Sequence, residues 1–245
     1  MLAIMGGTGL TQLSNLEIVR REVARTPYGE PSGALTFGAL AGRQVVFLAR
    51  HGYGHTIPPH LVNYRANIWA LKHAKATALV SVASVGGIRA DLEPGVLVVP
   101  DQIIDYTWGR KNTYFDGGDE PVRHIDLTHP YDVALRQRLL AAAARAGEAA
   151  VDGGVYAVTQ GPRLETAAEV NKLERDGADV IGMTAMPEAA LARELDLPYA
   201  AINVVVNAAA GRASSAAGIR FESIEEVVQE SMGRVRRILE ALCQD

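Results

Sequence analysis

Cysteine is almost absent from this chain. The only one, Cys243, is the third residue from the end of 245, so neither an intrachain disulfide nor a multi-cysteine zinc site can form. A lone thiol fits a reducing cytoplasm, where the chain is expected to work. Long apolar runs are missing too, and none approaches the length of a membrane span. The opening MLAIMGGTGL has no basic segment before its apolar stretch, so it reads as a buried strand and not a signal peptide. Positive charge is not in excess. The net charge of −4 and pI of about 5.9 give no basic footprint for nucleic acid. There is no internal repeat and no low-complexity tract beyond alanine-rich patches. Several motifs are lacking as well. Without a lysine P-loop, ATP-type transfer is disfavoured, and without a Gly-x-Ser-x-Gly elbow a hydrolase reading is weak. Gly7 and Gly9 would need glycine at position 12 to form a dinucleotide fingerprint, and Gln12 stands there.

What remains is apolar enough for a sizeable core, at 48%. Short buried runs are predicted as strands at 2–5, 34–40, 44–49, 78–83, 96–99, 102–106, 154–159, 178–181 and 199–206. Gly42 marks a hairpin between the second and third of them. Helices are predicted over Tyr64–His73 and 132–144. A further helix starts near Thr166, where Thr166-x-x-Glu169 has the capping-box spacing, and another at Pro187-Glu188. A second capping box, Ser223-x-x-Glu226, opens a last amphipathic helix with Ile224, Val227, Val228, Val235, Ile238, Leu239 and Leu242 at helical spacing. Residues 116–119, Asp-Gly-Gly-Asp, read as mobile, and 208–220 as a small polar segment able to act as a lid. No internal boundary is evident. The expected fold is α/β, one domain over 1–245, with a mixed, mostly parallel twisted sheet flanked by helices on both faces.

The polar residues have a pattern. Thr8, Arg50, His51, Ser84 and Thr184 all follow predicted strands, and strand ends in one sheet can converge on one site. Hydroxyls, a guanidinium and an imidazole together suit a phosphate. His51, His55 and His60 invite a metal reading. His51 and His55 have the spacing of a helical zinc pair, but Gly52, Gly54 and Pro58 oppose a helix, and Arg50 would repel a cation. No metal is expected. Glu165 and Thr184 stand at the mouth of a crevice made by two helix starts. Taken alone, Glu165 is an ordinary solvated first-turn acid and Thr184 an ordinary cap.

A longer signature changes those odds. GGTGL, RHG, HTIPP, NYRANIWALK, EPG, GPRLET, GADVIGM and MPEAALARE run through most of the chain. Together they resemble the trimeric purine nucleoside phosphorylases, most closely the 5′-methylthioadenosine phosphorylase branch. The resemblance implies the nucleoside phosphorylase fold and phosphorolysis of a purine nucleoside. Inorganic phosphate is then the co-substrate, and no metal or organic cofactor is needed. It places phosphate contacts on Thr8, Arg50, His51, Ser84 and Thr184, Met183 under the ribose, and Leu164 where an aromatic often stacks on the base. The residues expected to act on the reaction are Asn207 at the purine and His51 at the phosphate. It also implies a homotrimer in which His124 is lent to a neighbouring site.

The chain departs from the branch at the base. Adenine-specific members carry two aspartates after the last apolar strand, and here Asn207 and Ala209 stand in those places. Asn207 can accept a hydrogen bond from a protonated N7 and donate one to a 6-oxo oxygen. Glu165 can accept from the N1–H of a 6-oxopurine, whereas adenine N1 has no proton. The base is therefore expected to be hypoxanthine or guanine. At the sugar's 5′ end, Phe221 takes the place of a histidine that meets a hydroxyl in ordinary nucleoside phosphorylases. An aromatic edge suits a thioether. The expected reaction is phosphorolysis of S-methyl-5′-thioinosine to hypoxanthine and 5-methylthioribose 1-phosphate. The alternatives are phosphorolysis of inosine and guanosine, phosphorolysis of methylthioadenosine, hydrolysis by water, and a purine-binding module without activity.

Overall fold

The computed structural model of the chain describes residues 1–117 and 121–244. In chain order the elements are β1 (Leu2–Gly6), β2 (Glu17–Glu22), β3 (Leu35–Leu40), β4 (Arg43–Ala49), α1 (Tyr64–His73) and β5 (Ala78–Gly87). Then come β6 (Leu97–Val99), β7 (Gln102–Asp105), α2 (Val133–Arg145), β8 (Val151–Asp152), β9 (Val155–Val158) and α3 (Ala167–Arg175). β10 (Val180–Gly182), α4 (Ala185–Glu194), β11 (Tyr199–Ala208) and α5 (Phe221–Cys243) complete the chain. Among the described residues, all eleven strands join one sheet. Six of its ten pairings are parallel and four antiparallel, so the expected mixed, mostly parallel sheet of a single-domain α/β fold is what forms.

Both faces of the sheet are covered, which is why β5 and β11 read as nearly unbroken apolar runs. Ile68 and Leu71 of α1 and Leu191 of α4 pack on one face. Leu135 and Leu139 of α2, with Val235, Ile238 and Leu239 of α5, pack on the other. A smaller cluster seats Val170 and Leu173 of α3 against Ile181. The β3–β4 hairpin turns through Ala41 and Gly42, at φ 48° and 78°. That pair of left-handed residues matches the twist of the flanking strands.

Several boundaries differ from the sequence reading. β5 continues four residues beyond Ala83, so Ser84 lies within the strand and not after it. β2, EIVRRE, has every residue exposed and lies at the sheet edge. It carries no buried pattern for a sequence reading to find. α3 has the predicted capping box, with Thr166 and Glu169 bonded reciprocally. α5 does not use its own. It begins at Phe221 with Arg220 at the cap position and no side-chain cap bond, so Ser223 lies inside the first turn. In the segment expected to be mobile, Asp116 accepts from Arg65 at 2.8 Å, and Gly118 and Asp119 lie outside the described residues.

Candidate active site

The site exists because β5 changes partners. On one edge it pairs with β11 along almost its whole length. On the other it pairs with β1 from Ala78 to Ser81 and with β10 at Gly86 and Gly87. Between those two, residues 82–85 face a gap in the sheet, the kind of switch point where α/β folds bind ligands. β10 runs antiparallel to β5, with Val180 opposite Gly87 and Ile181 opposite Gly86. Its exit therefore heads back along β5 and delivers Met183 and Thr184 beside the gap.

Arg50 fills the floor of that gap. Its backbone N–H donates to Gly6 O at 2.9 Å, and its Nη1 donates to the carbonyl of Val82 at 3.0 Å. Nη2 donates to Ser81 Oγ at 2.6 Å, while Nε and Nη2 grip the Glu188 carboxylate. Glu188 also accepts from Ser81 at 3.1 Å and from Tyr199 at 2.9 Å. Arg50 and Glu188 are both fully buried. Burial opposes the guanidinium's charge, but Glu188 outweighs it and the pKa stays above its ordinary value. The glycine before Thr8 makes room for this arrangement: a Cβ on Gly7 would lie 2.7 Å from both Arg50 Nη1 and Val82 O. Gly9, at φ 80°, lets the loop press on α5, where a Cβ would meet Val228 at 2.1 Å.

Around Arg50 the other predicted phosphate residues gather. Ser84 Oγ donates to Thr8 O at 3.4 Å, and Thr8 Oγ1 is 3.2 Å from His55 Nε2. Thr184 precedes α4 with no side-chain cap bond and lines the cavity. His51 Nδ1 lies 2.8 Å from Ile57 O. A carbonyl only accepts, so Nδ1 carries the proton and Nε2 keeps its lone pair. Burial, and then the charge of Arg50, lower the His51 pKa to about 4, so the ring is neutral at pH 7.

A cavity of about 690 Å³ opens over this floor. Every site residue expected from the sequence lines it except His124. Leu164, Glu165, Asn207 and Ala209 share its wall with Met183 and Thr184. Glu165 accepts from Thr159 Oγ1 at 2.7 Å. Burial raises its pKa, against the pull of that hydrogen bond. Asn207 Nδ2 donates to Ala208 O at 2.7 Å, leaving Oδ1 and a second N–H for a ligand. Phe221 stands at the rim, 66% exposed, with Ile219 and Ile224 beside it on the lining. His124 is exposed and outside the cavity of its own chain. Among the described residues, no group of three His, Cys, Asp or Glu could hold a metal ion.

Sequence reasoning missed Glu188, Thr159, His55 and Ile219 as parts of the site. Glu188 sits in a run of alanines where nothing in the spacing betrays a buried ion pair. Thr159 was legible only as the end of a strand.

The chain matches the Phosphorylase superfamily over residues 1–244, which bears out the family recognised in its motifs. It is 56% identical over 237 residues to a probable S-methyl-5′-thioinosine phosphorylase of Pseudomonas syringae pv. tomato, covering 97% of this chain and 96% of that one. It is 42% identical over 246 residues to the 6-oxopurine nucleoside phosphorylase of Pyrococcus furiosus, covering 98% and 91%. Among solved structures, methylthioadenosine phosphorylase from Schistosoma mansoni in complex with adenine superposes with a TM-score of 0.94 at 32% identity. That match covers 99% of this chain and 90% of the other.

Proposed function

This chain belongs to the Phosphorylase superfamily, and from that membership we propose that it cleaves S-methyl-5′-thioinosine with inorganic phosphate. The products are hypoxanthine and 5-methylthioribose 1-phosphate. A phosphate oxygen bonds to the anomeric carbon as the bond from that carbon to purine N9 breaks, and the purine leaves with a proton on N7 that balances the one the attacking phosphate gives up. The reaction balances with phosphate as the only co-reactant, so no metal or organic cofactor is assigned. The enzyme is a pentosyltransferase. No helix among the described residues is long and apolar enough to cross a membrane. We place the enzyme in the cytoplasm as a homotrimer that lends His124 to a neighbouring site.

The observation that carries this reading is the pairing of Glu165 with Asn207 on the wall above Arg50 and His51. Glu165, as a carboxylate, accepts from the N1–H of a 6-oxopurine. Asn207 Oδ1 accepts a hydrogen bond from the N7–H that forms as negative charge builds on the base, and its free N–H donates to O6. Adenine would set its bare N1 against Glu165 and its amino group against Ala209, which offers no acceptor. A site built around such groups can reject the wrong base by as much as about 10⁴-fold. Phosphate lies against Arg50, Thr8, Ser84 and Thr184, where the Nε2 lone pair of His51 accepts from a protonated phosphate oxygen. Met183 packs under the ribose. Ile219, Phe221 and Ile224 give the thioether an apolar surround and leave a 5′-hydroxyl unpaired.

The test compares turnover of methylthioinosine, methylthioadenosine and inosine, with and without phosphate. Phosphate-dependent preference for methylthioinosine is the expected result. Preference for methylthioadenosine overturns the base assignment, and preference for inosine overturns the sugar assignment alone. Turnover indifferent to phosphate makes the protein a hydrolase.

A further inference from the structure

We propose that Arg110 is a positioning residue for this reaction: it ties the purine-bearing exit of β9 to the phosphate-bearing exit of β10 and sets their spacing. The proposal rests on the reading of the cavity given above. Arg110 does not line the cavity. Its half-buried guanidinium lies behind it. Nη2 donates to the carbonyls of Thr159 at 3.2 Å and Gln160 at 3.0 Å, and Nε donates to Gln160 Oε1 at 3.2 Å. Nη1 faces the carbonyls of Met183 at 2.8 Å and Met186 at 2.6 Å, and the Tyr64 hydroxyl at 3.1 Å. The guanidinium carbon stands 5.2 Å from the centre of the Tyr64 ring.

Apart from the Tyr64 hydroxyl on α1, these acceptors belong to two separate strand exits. Thr159 and Gln160 leave β9 and lead to Leu164 and Glu165. Met183 and Met186 leave β10 and enclose Thr184. The β9–β10 ladder ends at Val158 and Gly182, with one further bond from Thr159 N to Gly182 O at 2.8 Å. Beyond it, Arg110 joins the diverging segments. The acceptors found for it are carbonyls, an amide and a phenol, whereas Arg163, Arg212 and Arg234 each pair with a carboxylate. A planar fork with five fixed donors suits that task, and lysine, a point charge on a flexible stem, does not. Phosphorolysis needs a phosphate oxygen and the anomeric carbon held about 3–3.5 Å apart, and a 1 Å misplacement costs on the order of 10²-fold. Glu165 fixes the base from one exit and Thr184 the phosphate from the other, so the spacing of the two exits enters the rate directly.

The test uses Arg110→Met, Arg110→Ala and Arg110→Lys in the full chain, with whichever nucleoside the parent turns over fastest. In Arg110→Met we expect kcat to fall by about 30-fold or more, while the Kd of hypoxanthine alone and of phosphate alone each change by less than about threefold. Arg110→Lys is expected to keep under about a tenth of the parent kcat. Methylguanidinium added to Arg110→Ala is expected to restore kcat by about tenfold, which a loosened fold would not allow. A kcat within about threefold of the parent in Arg110→Met overturns the proposal. So does a loss of kcat accompanied by weaker binding of both ligands, a lower Tm and no rescue. Parent preference for inosine or methylthioadenosine changes the substrate and leaves the tie standing. A parent that cleaves no nucleoside removes the reading of the cavity, and the role of Arg110 with it.

Discussion

Asn207 carries the choice of base, and its local bond sharpens what a substitution does. Nδ2 donates to Ala208 O at 2.7 Å. Asn207→Asp would set a carboxylate oxygen against that carbonyl and remove the donor to O6. We expect kcat/KM for methylthioinosine to drop by about 10- to 100-fold, in line with about 1–3 kcal/mol for a buried polar group left unpaired. The ratio of methylthioadenosine to methylthioinosine turnover should rise. Unchanged selectivity would mean that Asn207 does not discriminate. His51 gives a second residue-scale prediction. Its pKa falls from the ordinary 6.5 to about 4 through burial and the nearby Arg50, so folding favours the neutral ring. Between those values the unfolded chain binds the extra proton, and stability drops as pH falls from 6.5 towards 4, by up to about 3 kcal/mol from this group. Urea unfolding across that window should show a shallower fall for His51→Gln than for the parent. Equal slopes would contradict the assignment. His51 was legible because it lies in the RHG motif, and Asn207 because it follows the last apolar run where the adenine-specific members of the resembled branch carry aspartate. Glu188 was not, since a buried acid whose partners Arg50, Ser81 and Tyr199 lie far apart in the chain or on another element has no pattern in one dimension.

At the scale of elements, two sequences with the same spacing behave differently. Thr166-x-x-Glu169 forms its capping box and Ser223-x-x-Glu226 does not. The difference lies in where the chain turns into the helix: Thr166 is extended at φ −75° and ψ 157°, while α5 has already begun at Phe221. Thr166→Ala should lower unfolding free energy by about 1 kcal/mol and Ser223→Ala by a few tenths at most, with chemical denaturation as the measure. An equal cost at both sites would show that Ser223 caps in solution. Most strands and helices were readable from apolar runs and turn residues, because each is fixed locally by burial and backbone preference. What the sequence could not display is the change of partner along β5. Nothing in VIG of β10 distinguishes a strand that runs parallel to β5 from one that runs against it. That orientation nonetheless opens the gap Arg50 fills. β2 escaped notice for the opposite reason, since an edge strand exposed at every residue has no alternation to betray it.

The whole molecule poses the question of where His124 acts. It is exposed and lies outside the cavity of its own chain, so a role at the sugar requires a second subunit. The apolar surface favours one. Leu61, 65% exposed, stands two residues beyond the cavity residue Pro59, and Trp108, 72% exposed, lines an adjoining smaller cavity that shares Glu165 with the first. Solvent is a costly neighbour for large apolar side chains flanking a cavity mouth, and a partner subunit would remove that cost. In a closed ring each subunit gives to one neighbour and receives from the other. Light scattering should therefore report about three times the 26.1 kDa of one chain. His124→Ala should lower kcat/KM for methylthioinosine by about tenfold, as for loss of one contact at a well-packed site, while Glu165→Ala should abolish turnover. Mixing the two under conditions that exchange subunits makes the decisive measurement. A His124→Ala subunit beside a Glu165→Ala neighbour regains one complete site, with Glu165 from the first and His124 from the second. Random assembly from equal parts restores about a quarter of all sites. That is several times the average of the two variants assayed apart. If activity stays at that average although subunits have exchanged, His124 serves no neighbouring site, and the apolar rim needs another explanation.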